Sequence, residues 1–285
     1  MIGISPAFMI SLLNKKFSIT DYINLIPKIY ETGFSGFQPE IFTKTDLDNW
    51  TEKKIKQLNQ VAIDNNIKPT QFVGHYLLYM FSNEQNLRCE DGLEDIKKII
   101  DICSFLKHCD VFTIPIADFQ HRNELDLNEN QENYKYLIDK IHKILSILNP
   151  YNFRFALEIL PFSILGGSTG FKLLAAEINN KKLGINLDTG HFWACKENIN
   201  LIPYNLKDQI FGTHLCDNNS WENLSLCPGE GSINWENFIN NLYKSGYKGS
   251  LDIEIVCSAE ETWEKYEKGL VFIKSILKQL KIKNS

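Results

Sequence analysis

The feature that most constrains this chain is a rhythm. Short apolar runs alternate with longer amphipathic stretches, and the apolar runs recur at intervals of roughly 25 to 40 residues. The runs predict strands at Ile2–Ser5, Phe34–Gln38, Ile67–Phe72, Val111–Ile114, Phe153–Ile159, Leu183–Leu187, Ile210–Leu215 and Ser250–Val256. Between them the 3.6-residue period predicts helices at Thr20–Tyr30, Leu47–Asn65, Leu93–Leu106, Tyr134–Leu148, Phe171–Ile178, Trp235–Lys244 and Glu261–Leu280, with only a brief turn at Leu201–Leu206. Long loops are expected at Leu78–Asp91 and Ala117–Asn133. Eight strand–helix units in order suit a single (β/α)8 barrel over residues 1–285, with a doubly wound open sheet as the rival.

Composition narrows the partners. A formal charge of -5 and only three arginines (Arg88, Arg122 and Arg154) leave no basic stripe for a phosphate backbone, so no nucleic acid is expected. The seven cysteines lack a C-x-x-C pair, and an odd count does not suit a secreted disulfide scaffold. The first residues lack a basic segment followed by a long apolar core, and there is no run of 18 apolar residues. The expectation is a cytoplasmic protein with no membrane partner.

Four apolar runs are interrupted by ionisable groups near their ends. Glu158 lies in Ala156-Leu157-Glu158-Ile159, Asp188 in Asn186-Leu187-Asp188-Thr189, His214 in Gly212-Thr213-His214-Leu215, and Glu254 in Asp252-Ile253-Glu254-Ile255. A carboxylate among isoleucines and leucines is costly unless it is paired or bound to a metal. Singly, each has an ordinary reading: Glu158 as partner of Arg154 or Arg122, His214 as a core histidine, Asp188 as a cap for Thr189–Trp193. Four such groups at successive barrel strand ends converge on one axis, and three converging acids repel unless a cation joins them. Three oxygen donors and one imidazole suit one divalent ion, Mn2+ or Mg2+ first, with Co2+, Fe2+ or Zn2+ as alternatives.

At these residues the chain resembles the xylose isomerase-like TIM barrel superfamily, in its sugar phosphate isomerase/epimerase branch. The resemblance covers nearly the whole chain and is strongest in the second half. It rests on Glu158, on Leu187-Asp188-Thr189-Gly190-His191, on His214 with Asp217 following, on Pro228-Gly229-Glu230-Gly231-Ser232-Ile233-Asn234-Trp235, and on Gly249-Ser250-Leu251-Asp252-Ile253-Glu254. It implies metal ligation by Glu158, Asp188, His214 and Glu254. It also implies proton transfer by Glu158 and Glu254 through an enediolate of a sugar or related hydroxy-ketone. His75, His191, Asp217, Trp193 and Gln38 are the expected substrate-binding side chains, with Glu40 as another group near the second strand. Trp221, Phe8, Phe42 and Tyr76 are candidate aromatic walls. Gly229 and Gly231 could form a phosphate nest, although Glu230 and the scarcity of arginine favour an unphosphorylated sugar or polyol.

The departures are informative. Ketose 3-epimerases carry an arginine soon after the strand-seven histidine and a second glutamate six residues past the first. Here Asn218–Leu226 contains no arginine and Ile164 holds the other position, which argues against a free-ketose 3-epimerase of the best-known kind. The three-zinc endonucleases need further histidines. His75 and His191 are present, but Ile114-Pro115-Ile116 and the segment from His214 to Gly229 lack the others. The alternative on the same barrel is an inosose or polyol-ketone dehydratase, a lyase beginning with the same proton abstraction. Family members are commonly homodimers or homotetramers.

Overall fold

Parallel backbone pairing runs right around the molecule. The computed structural model describes residues 1–122 and 126–282. Its strands are β1 (Ile2–Ile4), β2 (Gly36–Phe37), β3 (Lys68–Pro69), β4 (Phe72–Val73), β5 (Val111–Ile116), β6 (Arg154–Ile159), β7 (Leu183–Asp188), β8 (Ile210–His214) and β9 (Leu251–Ile253). They pair as β3-β2-β1-β9 and β4-β5-β6-β7-β8, parallel throughout. Two isolated parallel bridges, Glu40↔Val73 and Leu215↔Ile253, join the arcs into a closed ring. The third barrel strand is therefore in two pieces, β3 and β4, where one run was expected. The open-sheet rival is excluded, because an open sheet leaves two edges.

The helices are α1 (Ala7–Leu13), α2 (Ile19–Thr32), α3 (Glu52–Asp64), α4 (Glu84–Arg88), α5 (Leu93–Phe105), α6 (Leu127–Leu148), α7 (Ser168–Ile178), α8 (Thr189–Ala194), α9 (Ile202–Leu206), α10 (Trp235–Lys244) and α11 (Thr262–Gln279). Ser18 starts α2 with a reciprocal capping box, accepting from Thr20 N while Asp21 Oδ2 accepts from Ser18 N at 2.7 Å. The expected helix from Leu47 divides into a 3-10 turn at Lys44–Asn49 and α3, so Trp50 lies between them. Much of the two expected long loops is helical. Leu77, Met80 and Phe81 bury the 3-10 segment His75–Phe81, and α4 follows. Asp126 starts α6 seven residues before Tyr134 by accepting from Asn128 N and Glu129 N.

Alternation along the strands explains where the polar residues go. Successive side chains point to opposite faces, so Asp252 and Glu254, Asn186 and Asp188, Gly212 and His214, and Gln38 and Glu40 share the interior face. Below the mouth they form a polar layer: Gln71 Nε2 donates to Asn186 Oδ1 at 2.8 Å, and Thr113 Oγ1 donates to Gln71 Oε1. Room for this layer comes from Gly212, where a Cβ would collide with Asn186 and Gln71. The greasy face of each strand packs outward against helices, in a core that includes Phe37, Phe112, Leu157, Ile185 and Ile253. No helix among the described residues is long and apolar enough to cross a membrane.

Candidate active site

Glu158, Asp188, His214 and Glu254 come together at the C-terminal mouth, where barrel active sites form. One donor atom from each lies within 4.8 Å of all the others. His214 Nδ1 is 2.9 Å from Glu158 Oε1, 2.9 Å from Glu254 Oε2 and 3.9 Å from Asp188 Oδ2. The ordinary readings of Glu158 do not hold, since Arg154 pairs with Asp110 and Arg122 with Glu84. Asp188 does two jobs at once. Its Oδ1 caps α8 by accepting from His191 N at 2.7 Å, which leaves Oδ2 turned to the cluster.

The electrostatics are those of a site built around positive charge. Burial by itself would lower His214, yet Glu254 and Glu158 outweigh it and hold the imidazolium well above its ordinary range. Burial would raise Glu254, but the charge and hydrogen bond of His214 bring it down to about 2. Asp188 has no such direct partner; burial and the charges of Glu254 and Glu158 push it up to about 6. Two buried atoms at the centre, Asp188 Oδ2 and His191 Nδ1, have no hydrogen-bond partner among the described residues. His191 Nδ1 is 3.8 Å from both Glu158 Oε1 and Asp188 Oδ2. Orphaned lone pairs facing one point, in a set of three carboxylates and an imidazole, fit a divalent cation.

Beside the cluster lies a cavity of about 300 Å3, bordered by Glu158, His191, His214 and Glu254 on the acid side. Glu40, His75 and Phe42 border it as well. His75 Nδ1 is 3.4 Å from Glu40 Oε1, and its ring stacks on Phe42 with centroids 4.5 Å apart. Burial pushes the Glu40 carboxyl up; it would lower His75, but the hydrogen bond and charge of Glu40 more than offset this. Lys15 also borders the cavity and lies 5.7 Å from the Phe42 centroid. It was not foreseen, because it is placed by two consecutive left-handed residues, Asn14 and Lys15, with no glycine to signal the turn.

Three expected substrate contacts lie elsewhere. Gln38 is completely buried and spans His214 and Asp252 instead of bordering the cavity. Trp193 gives its indole N–H to Ser232 Oγ at 3.0 Å and does not border the cavity. Asp217 is consumed by its own loop: it accepts from Gly229 N at 2.9 Å, Ile233 N at 3.1 Å, Trp235 Nε1 at 2.7 Å and Asn218 N at 2.9 Å. The glycine-rich segment is thus a nest filled by an internal carboxylate, where the sequence allows a phosphate nest as one of two readings. Of the aromatic candidates, only Phe42 borders the cavity. Phe8 is core against Trp263 and Tyr266, and Trp221 is an exposed ring under Lys196.

Residues 26–276 match the xylose isomerase-like TIM barrel family, and the chain belongs to it. Among individual proteins, it is 31% identical over 119 residues to MJ1311 of Methanocaldococcus jannaschii, a match spanning 40% of this chain and 41% of that one. It is 20% identical over 210 residues to the inosose isomerase of Halalkalibacterium halodurans, covering 70% of this chain and 71% of the relative. Its fold is similar to that of D-psicose 3-epimerase with D-tagatose from Clostridium cellulolyticum H10, with a TM-score of 0.78, 16% identity, and coverage of 96% of this chain and 98% of that one.

Proposed function

We propose that this protein is a divalent-metal-dependent isomerase or epimerase acting on a sugar or related hydroxy-ketone through an enediolate. The observation that carries the reading is the meeting of Glu158 Oε1 and Glu254 Oε2 at His214 Nδ1, each at 2.9 Å. The two glutamates come from barrel strands three places apart, so they approach a bound substrate from different sides. Glu158, Asp188, His214 and Glu254 would hold a divalent cation, with Mn2+ or Mg2+ favoured by the hard donors, and when bound it would supply the charge that acidifies a C–H beside a carbonyl.

One glutamate takes that proton, and the other returns a proton to the opposite face or to the neighbouring carbon. His191, buried beside Glu158 and Asp188, gives Nδ1 to a substrate hydroxyl or oxyanion. The cavity is at the small end of ligand sites, and its sole lysine is Lys15, so the substrate is a single unphosphorylated sugar or cyclic polyol ketone. Family membership and the likeness to an inosose isomerase and a ketose epimerase support this class. Ile164 and the arginine-free Asn218–Leu226 weigh against ketose 3-epimerisation of the best-known kind.

A second reading is dehydration of an inosose or polyol ketone. The His75–Glu40 pair favours it, because an imidazolium in the same cavity can protonate a departing hydroxyl. The test is incubation with Mn2+ in deuterated water and a panel of pentuloses, hexuloses and inososes, read by mass spectrometry. Deuterium gained without other change of mass supports isomerisation or epimerisation, and loss of water supports the lyase. A panel with neither, at saturating Mn2+, rejects both.

A further inference from the structure

We propose that Gln38 is a positioning residue for the metal centre: with Asp252 behind it, its amide forces His214 to offer Nδ1, not Nε2, to the cation. The inference deepens the metal-dependent reading and rests on it.

The argument is a chain of donors and acceptors. His214 Nε2 lies 2.8 Å from Gln38 Oε1, and Gln38 Nε2 lies 2.9 Å from Asp252 Oδ2. A glutamine amide can be turned either way, so its neighbours must decide which end is oxygen. Asp252 Oδ2 decides it here. That one oxygen also accepts from Thr70 Oγ1 at 3.0 Å and from Ser250 Oγ at 2.5 Å. An oxygen taking three donors has none to give, so it faces the NH2 of Gln38. The carbonyl oxygen of Gln38 must then face His214.

That carbonyl can only accept, so His214 Nε2 carries the hydrogen. In the neutral ring the lone pair is left on Nδ1, the atom among Glu158, Asp188 and Glu254. The anchor cannot drift, because Asp252 fills the space left by the missing side chain of Gly3, its partner in β1–β9 pairing. Gln38, Asp252 and His214 are all essentially sealed from solvent, so water offers no competing acceptor. The arrangement matches the general rule that a histidine ligand is oriented through its other ring nitrogen. An amide held by a buried acid performs that role in place of a direct carboxylate. Sequence gave a hint only in retrospect: Asp252 stands two residues before Glu254 on the same strand face.

The test measures binding of Mn2+ alone by calorimetry, with long-range 15N–1H NMR of histidine-labelled, Zn2+-loaded protein. Wild type is expected to show His214 as the Nε2–H tautomer. Gln38→Met keeps the volume without the acceptor and is expected to weaken Mn2+ binding about 10- to 100-fold. Gln38→Glu, carrying its proton toward Asp252 Oδ2 where the amide N–H stood, keeps an acceptor oxygen for His214 and is expected to stay within about fivefold of wild type if acceptance is what matters. Asp252→Asn frees the amide to turn and is expected to show a mixture of tautomers. An Nδ1–H tautomer in the wild type overturns the proposal and needs no variant. A Gln38→Met protein that folds and binds Mn2+ like wild type overturns it too, and so does a Gln38→Glu protein that loses as much affinity as Gln38→Met. Failure of wild type to bind Mn2+ at all would instead strike the metal reading itself. Normal Mn2+ binding without deuterium exchange on any substrate would strike only the proposed activity.

Discussion

Trp235 donates its indole N–H to Asp217 Oδ2 at 2.7 Å, tying the first residue of α10 to the segment that follows β8. The same carboxylate gathers backbone N–H groups from Gly229 and Ile233. A Cβ at Gly231 would collide with it, which explains the glycine there without any ligand. Asp217→Asn replaces one acceptor oxygen by a donor against these N–H groups. It is expected to cost about 2–4 kcal/mol in urea unfolding, since hydrogen bonds to a buried charge are lost and donors are stranded. Mn2+ affinity of the folded variant is expected to stay within about threefold of wild type, because the Asp217 carboxylate is occupied by its own loop and not by the cluster. A large loss of affinity without loss of stability would restore Asp217 to the site.

The paired glutamates are expected to fail differently from a mere metal ligand. Glu158→Gln and Glu254→Gln each remove a base while keeping one oxygen donor, so isotope exchange is expected to fall by about 10²–10⁴-fold. Raising Mn2+ to saturation is expected not to recover it. Recovery at high Mn2+ would show that the glutamate acts only by holding the ion.

Metal binding is expected to weaken as pH falls. Without a cation, His214 keeps its proton above the ordinary histidine range, and the cation must displace it. Asp188, raised to about 6, adds a second proton below that pH. The apparent Kd for Mn2+ therefore rises on acidification, by up to about tenfold per pH unit while His214 holds its proton, and more steeply below about pH 6. Calorimetry in two buffers of different ionisation enthalpy counts the protons released. A pH-independent Kd would contradict the protonated cluster.

Asp188 also sets a sign for stability. Its folded pKa lies above the ordinary 3.8, so the metal-free fold binds that proton more tightly than the unfolded chain does. Stability from this group is greatest below about pH 4 and is lost by about pH 6, on the order of 3 kcal/mol. Mn2+ relieves the unfavourable buried charge, so its thermal stabilisation is expected to be larger at pH 7.5 than at pH 5. Equal shifts in Tm at equal free Mn2+ concentration would argue against this.

Glu40→Gln isolates the second acid–base pair. His75 is held above its usual value because Glu40 outweighs its burial. With the carboxylate gone, burial is opposed only by the charges of Glu158 and Glu254, and the His75 pKa is expected to fall. In the wild type the raised His75 value contributes stability fully below about 6.5, and that contribution fades as pH rises through the elevated folded value. NMR titration of the His75 ring protons checks both directions; an unmoved midpoint would mean the 3.4 Å contact carries no charge coupling.

Much of the site was legible because strand chemistry is local. Glu158, Asp188, His214 and Glu254 each break an apolar run, and the barrel brings strand ends to one mouth whatever the loops do. Gln38 and Asp217 were visible as polar residues near the right ends, but not their partners. Gln38 meets Asp252 across 214 residues of sequence, and Asp217 turns back on a loop whose glycines look the same with or without a bound anion. The first two turns of α6 were missed for a different reason. The helix is started by a cap at Asp126 and, after Leu127, stays polar until Tyr134, so hydrophobic period alone begins too late.

The two isolated bridges of the ring both lie at the site. One bridge is made by Glu40 itself, and the other, Leu215↔Ile253, adjoins both His214 and Glu254. Ile41 N and Val73 N donate across one join, which continues the pairing of β2 with β3, and Leu215 N and Glu254 N donate across the other, beside Thr213 Oγ1 on Ser250 O. Anything seated between Glu254 and Glu158 therefore rests against one join of the ring, and a guest on Glu40 and His75 rests against the other.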